Sequence, residues 1–322
     1  MLDEKDKLLI EYLMHDCRMT TTKLSKLTGM KQPTVVYRMK RLEREGYISK
    51  YDAIFDLNLV KTPIDMFFIK ISNEKREDFE KKIKGDKRFE SMFRLSHRFN
   101  YYISGFLGKE GRKEIKKYFK GKKFDFKHYT WKEMKLMPFS IFDLGLIHKT
   151  KLEDIYKKVK RELGKIDGKD IKIINAMMDG GGRDSILKLA ERTGLNADIV
   201  FYRFKKLTKA GAFPLFLAQP GNEKFNIQVD MILLKLKGME LDDVEREFRK
   251  IEKTLHVVDL GENKYFTQIL TRDFGEYKDV LDKICNVFRE RLDGIEIYNT
   301  KDWFFLNRVN LTLKNFNRAS RV

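Results

Sequence analysis

KLSKLTGMKQPTVVYRMKRLEREG, residues 23–46, recurs in the same register 165 residues later as KLAERTGLNADIVFYRFKKLTKAG, residues 188–211. Lys23/Lys188, Leu24/Leu189, Thr28/Thr193, Gly29/Gly194, Val35/Val200, Tyr37/Tyr202, Arg38/Arg203, Lys40/Lys205, Leu42/Leu207 and Gly46/Gly211 match without a gap. A match of this length and period marks one module written twice. In the first copy Leu24 and Leu27 share a face of a short helix, Gly29 ends it, and Pro33 stands where a first helical turn tolerates a missing N–H. The pattern is helix, turn, helix. In the second helix Val35, Met39 and Leu42 fall at i, i+4 and i+7 and point inward, which leaves Gln32, Thr34, Tyr37, Arg38 and Arg41 outward.

An outward face of amide, hydroxyl, phenol and guanidinium suits a DNA groove, although a merely solvated helix face has the same composition. Arg pairs bidentately with guanine, Gln with adenine, and Thr34 or Lys31 reaches phosphate. Bulk charge agrees: 67 Lys and Arg against 48 Asp and Glu give +19 over 322 residues, an excess that calls for an anionic partner such as nucleic acid or a membrane surface. No apolar run approaches the ~20 residues that span a bilayer. MLDEKDK at the start carries acids where an export signal needs cations, so a cytoplasmic location is expected. Cys17 and Cys285 are far apart, and His15, His97, His128, His148 and His256 are scattered, so neither a metal nor a cofactor is expected.

Along the chain, Leu8, Leu9, Tyr12 and Leu13 form a helical stripe with Asp3 as N-cap and Asp6 three residues on. Tyr47–Phe55 reads as the strand or hairpin wing after a three-helix bundle. From residue 63 the order strand, helix, strand, strand, helix, strand predicts a ferredoxin-like unit, ending near Trp131. Asp167 and Asp170 then repeat Asp3 and Asp6, and Val229–Leu236 answers Ile64–Ile71 at the same offset. The fold class is therefore α+β, two winged helix-turn-helix domains alternating with two ferredoxin-like βαββαβ domains. The expected boundaries are 1–60, 61–143, a helical linker over 144–166, 167–225, 226–304 and a basic tail over 305–322. Gly180-Gly181-Gly182 lacks the Gly-Lys-Ser/Thr ending of a phosphate loop and reads as a flexible helix-to-helix connection.

LDEKDKLLIEYLMHDCRMTTTKLSKLTGMKQPTVVYRMKRLEREGYISKYDAIFD resembles the N-terminal domain of the Lrp/AsnC (feast/famine) transcription regulators, from Leu2-Asp3 through Tyr47-Ile48. The resemblance implies that Lys31–Leu42 enters the major groove of double-stranded DNA. It departs at Lys31, where the family favours serine, so the usual N-cap side chain is missing. It also implies dimerisation through the ferredoxin-like domains, which a tandem chain would make within itself as a pseudo-dimer, with further homo-oligomerisation left open.

The copies differ. Gln32, Pro33, Thr34 and Val36 become Ala197, Asp198, Ile199 and Phe201, so the second helix is expected to grip backbone through Arg203 and Lys206 rather than read bases. The family's effector turn corresponds to Ser96, His97, Arg98, Phe99 and Asn100, and to Leu260–Lys264 in copy two. Neither keeps the family's pattern, so a small-molecule effector is left open, with His97 and Arg98 as candidates for an anionic ligand. The alternatives are a sirohaem-decarboxylase-like enzyme, since such enzymes resemble fused pairs of Lrp-like modules that use histidine and arginine on a tetrapyrrole, and a nonspecific architectural DNA binder.

Overall fold

The structure, a computed structural model, describes residues 2–96, 98–137, 139–142, 163–305 and 311–312. His97, most of the expected linker and most of the basic tail lie outside the described residues. Helices α1 (Glu4–His15), α2 (Thr21–Thr28) and α3 (Gln32–Arg44) lead into strand β1 (Ile48–Ile54). Then come β2 (Asp65–Lys70), α4 (Arg76–Gly85), β3 (Phe89–Leu95), β4 (Tyr101–Gly105), α5 (Gly108–Gly121), β5 (Asp125–Thr130) and β6 (Glu133–Leu136). The second copy runs α6 (Gly168–Ala176), α7 (Ile186–Thr193), α8 (Ala197–Lys209), β7 (Leu215–Pro220) and the one-turn α9 (Asn222–Phe225). It ends with β8 (Gln228–Leu236), α10 (Leu241–Phe248), β9 (Thr254–Gly261), β10 (Lys264–Thr271), α11 (Phe274–Phe288) and β11 (Leu292–Phe305). The α+β class and both module types read from the sequence are present.

The chain divides into two units by kind, not by copy: Met1–Leu59 with Pro138–Ile227, and Val60–Met137 with Gln228–Val322. The first unit holds both helix-turn-helix modules. Each opens on the expected capping box, Asp3 with Asp6 at α1 and Asp167 with Asp170 at α6. Leu9, Leu13, Leu24, Val35 and Leu42 are fully buried in one module, as are Ile173, Ile174, Leu189, Val200 and Leu207 in the other.

The wing departs from expectation. β1 pairs antiparallel with β7 of the other copy, Tyr51 opposite Ala218, Asp52 opposite Leu217 and Ala53 opposite Phe216. Asp52 and Leu217 are 165 residues apart, so they are one position of the module, and the ribbon has a pseudo-two-fold centre there. A lone strand of β-branched and aromatic residues satisfies its ladder equally well by meeting its own duplicate as by turning back on itself. Gly180–Gly182 is also corrected, from a flexible connection to a packed turn. The Gly180 N–H donates to Asp52 Oδ1 (2.7 Å) and the Gly182 N–H to the Tyr51 carbonyl (2.9 Å). A Cβ at Gly182 would lie 2.5 Å from the Asp52 carbonyl, so glycine is required by close approach.

Among the described residues of the second unit, nine strands run in the order β5-β2-β4-β3-β11-β8-β10-β9-β6. Helices cover one face of each half: Phe79, Ile83, Ile115 and Phe119 meet Phe67 and Ile103 in one, while Val244, Phe248, Val280, Ile284 and Phe288 meet Ile232 and Leu234 in the other. On the opposite face Tyr102 stacks on Phe266 (5.8 Å, 8°) and Phe68 on Tyr298 (4.4 Å). The terminal strands are exchanged. β11 pairs first with β8, Ile297 opposite Ile232, and then with β3, Trp303 opposite Phe93; β6 pairs with β9, Met134 opposite Val258. Each copy thereby completes the other's sheet.

Candidate nucleic-acid interface

α3 begins at Lys31, which as N-cap makes no side-chain cap bond, whereas Asn196 at α8 accepts from the Asp198 N–H (2.8 Å). The missing cap costs α3 about 1 kcal/mol. It leaves a cation at the helix entrance. Val35 and Leu42 are fully buried and Met39 nearly so, as the helical spacing predicts. Lys31, Gln32, Thr34 and Tyr37 are exposed, Tyr37 at 63%. Gln32 Nε2 donates to Thr21 Oγ1 (2.7 Å), which fixes the amide across the starts of α2 and α3.

Arg38 and Arg41 are held by acids of α1 rather than left open to solvent. Arg38 Nη1 bonds both oxygens of Asp3 (2.8 and 2.7 Å) and Asp6 Oδ1 (2.8 Å), and Arg41 Nη2 bonds Asp6 Oδ2. Both guanidiniums are half-buried, because the capping acids of α1 lie within reach of their long side chains. The Arg38 hydrogen bond holds the Asp3 carboxyl below the usual carboxylate range. Copy two repeats the clamp: Arg203 Nη1 bonds Asp167 (2.8 Å) and Asp170 (2.9 Å). These arginines tie the recognition helices to α1 and α6 through ion pairs. Lys206 is exposed, with Nζ 3.4 Å from the Lys165 carbonyl.

The expected effector turn is also mostly committed to structure. The Ser96 N–H and Oγ both donate to the Asn299 carbonyl (2.9 and 3.2 Å). Asn100 Oδ1 accepts from the Ile71 N–H (2.9 Å) and its Nδ2 donates to the Ile71 carbonyl (2.7 Å). Arg98 is exposed and lies 3.6 Å from Asp125. A polar cluster that the sequence reading missed lies between β2, α5 and β5: the buried Asp65 carboxylate takes Arg112 Nε (2.6 Å), His128 Nε2 (2.7 Å) and Thr130 Oγ1 (3.2 Å). Among the described residues no group of His, Cys, Asp and Glu is arranged to hold a metal, and no helix is long and apolar enough to cross a membrane.

A three-helix module with an exposed polar recognition helix and a following strand defines a winged helix-turn-helix DNA-binding domain. Residues 2–49 match the family model "Winged helix-turn-helix DNA-binding". Similar curated proteins include the HTH-type transcriptional regulator FL11 of Pyrococcus furiosus, 39% identical over 17% of this chain and 36% of its own length. LrpA of Pyrococcus horikoshii is 39% identical over 16% and 36% of the two chains. The match thus spans about a third of these relatives. The proline dehydrogenase transcriptional activator of Rhizobium radiobacter is 31% identical over 32% of this chain and 68% of its own length. Among solved structures, the siroheme decarboxylase NirDL has the same fold, with TM-score 0.63 and 11% identity over 97% of this chain and 96% of that one. The chain belongs to the Lrp/AsnC family, tandemly duplicated.

Proposed function

We propose that the chain is a sequence-specific, double-stranded-DNA-binding transcription regulator that works as a single-chain pseudo-dimer in the cytoplasm. In this reading residues 1–60 and 167–225 engage DNA, while 61–143 and 226–304 hold the pair together. The observation that carries it is the joining of both modules in one unit by the β1–β7 ribbon, with Lys31, Gln32, Thr34 and Tyr37 of α3 left facing solvent. Two modules about a two-fold axis suit half-sites about one helical turn, or a multiple of it, apart. Selection from a random duplex pool at about 0.2 M salt, where phosphate binding is weakened, tests this. Enrichment of a motif supports the reading. Binding that enriches nothing and vanishes as salt rises overturns it in favour of an architectural binder.

The shared fold with a tetrapyrrole decarboxylase favours a second reading, an enzyme of that kind. Arg98 is the one member of its expected ligand pair that the described residues include, and it faces Asp125. A shifted Soret band on adding sirohaem to the purified chain would support this reading. An unshifted spectrum would remove it.

A further inference from the structure

The second recognition helix differs from the first in a way that backbone gripping alone does not explain. Most of what the duplication kept has a structural task. Leu24/Leu189, Val35/Val200 and Leu42/Leu207 are fully buried, Gly29/Gly194 and Gly46/Gly211 have positive φ, and Arg38/Arg203 hold the capping acids. Thr28 and Thr193 each donate to the carbonyl four residues back (2.7 Å). Tyr37/Tyr202 and Lys40 have no such task, and Lys205 meets only the exposed Phe201 ring. The two tyrosines are 63% and 71% exposed, and among the described residues neither makes a hydrogen bond or a ring contact. Each Tyr and its Lys are three apart and share a helix face. A phenol and an ammonium held outward in both copies suit a common polyanionic partner, so α8 as well as α3 faces nucleic acid. Exposed Lys206 and Lys209 extend the charge along α8.

Outward positions at the start of the helix have changed chemistry. Gln32 and Val36 of α3 are four apart on one face, and Ala197 and Phe201 replace them on α8. Phe201 is 55% exposed, with Lys205 Nζ 6.0 Å from its ring. On α7, Leu187 replaces Thr22 and is 69% exposed. Leu187 and Phe201 expose more apolar surface than Leu27 and Val36 of the first copy, surface that an apolar partner would cover favourably. In the major groove the apolar group on offer is the thymine C5-methyl, which Ala and Phe contact. The acid Asp198 beside them repels phosphate, which leaves base edges as the favourable contact.

We infer that the second helix-turn-helix is a base reader of a different kind, recognising thymine methyls through Ala197 and Phe201. This rests on the DNA-binding reading above and replaces the expectation that this module only positions the duplex. The two half-sites are then unlike by construction.

The test uses the duplex enriched from the random pool, resynthesised with deoxyuridine for thymine in one half-site at a time. Deoxyuridine removes only the methyl. In the half covered by α8, each lost methyl should weaken binding about fourfold, the factor set by one buried methylene. Phe201→Ala should abolish that sensitivity, and since its side chain is exposed, an unchanged melting curve will confirm folding. Ala197→Gln, which restores the residue of the first copy, should move preference in that half toward adenine. Deoxyuridine-insensitive binding by the unaltered chain, or an enriched second half-site without thymine, overturns the inference alone. Failure to enrich any duplex overturns the sequence-specific reading of the whole chain as well.

Discussion

Arg18 and Arg183, one position of the module taken twice, grip each other's turns reciprocally. Arg18 Nη1 donates to the carbonyls of Gly182 (2.9 Å) and Asp184 (3.3 Å), while Arg183 Nη1 donates to those of Cys17 and Met19. Each guanidinium also lies over an aromatic ring of the opposite copy, Arg18 over Phe204 (4.9 Å) and Arg183 over Tyr51 (5.8 Å). Because residue 182 answers 17 and 184 answers 19, the contact is isologous, the form a two-fold interface takes. Arg18→Ala and Arg183→Ala should each destabilise the chain by about 1–3 kcal/mol in urea unfolding, since each strands two carbonyls. Costs below about 0.5 kcal/mol, the level of ordinary surface changes, would show that the pairing rests on the ribbon alone.

Arg38→Ala should act on stability rather than on base preference. It removes one of two cations from the buried Asp6 carboxylate, and Arg41 remains, so a loss of about 1–3 kcal/mol is expected. The enriched motif should be unchanged, whereas Gln32→Ala should alter the motif with little effect on unfolding. A changed motif with unchanged stability in the Arg38 variant would contradict this assignment.

Lys31→Ser tests the cost of keeping a cation at an uncapped helix start. The variant should gain about 1 kcal/mol of stability from the new cap bond. It should also reduce the salt dependence of DNA binding by about one phosphate contact. A stabilised variant with an unchanged salt slope would show that Lys31 does not touch DNA.

Acid and base should weaken different units. His15 is almost fully buried on α1, and burial lowers its pKa from 6.5 to about 4. The unfolded chain therefore binds the extra proton first, and stability present above pH 6.5 falls as pH drops toward 4, with a slope of up to about 1.4 kcal/mol per pH unit. Glu90 on β3 has a carboxyl oxygen with neither accessible surface nor a hydrogen-bond partner, and burial pushes its pKa up to about 8. Its contribution is complete below pH 4.5 and is lost as pH rises through 8. Glu90→Gln should therefore flatten the alkaline limb of unfolding curves, read between about pH 6.5 and 8, above the window in which His15 acts. An alkaline limb unaffected by the substitution would contradict this.

Local features of the fold were legible because local chemistry sets them. Capping by Asp3 and Asp6, the left-handed Gly29 and the inward row Val35, Met39 and Leu42 all follow from a few neighbouring residues. The exchange of β6 and β11 was not, since a strand's alternation is the same whichever partner completes its ladder. The ion pairs of Arg38 were hidden for a related reason. The helical wheel gives the direction of Cβ, but a long side chain ends where its charge is satisfied, here at Asp3 and Asp6. Comparing the copies could have revealed Arg18 and Arg183, which are 165 residues apart beside turns of the same length.

The central claim, that one chain presents two unlike readers to one duplex, is tested most directly by the mass of the complex. Sedimentation of the 38.4 kDa chain with its enriched duplex, combined with hydroxyl-radical footprinting, reads stoichiometry and coverage together. One chain per duplex protecting two different half-sites, about one helical turn or a multiple of it apart, is the predicted result. Two chains per duplex, each protecting a single copy of the same half-site, would contradict it and assign DNA reading to α3 alone.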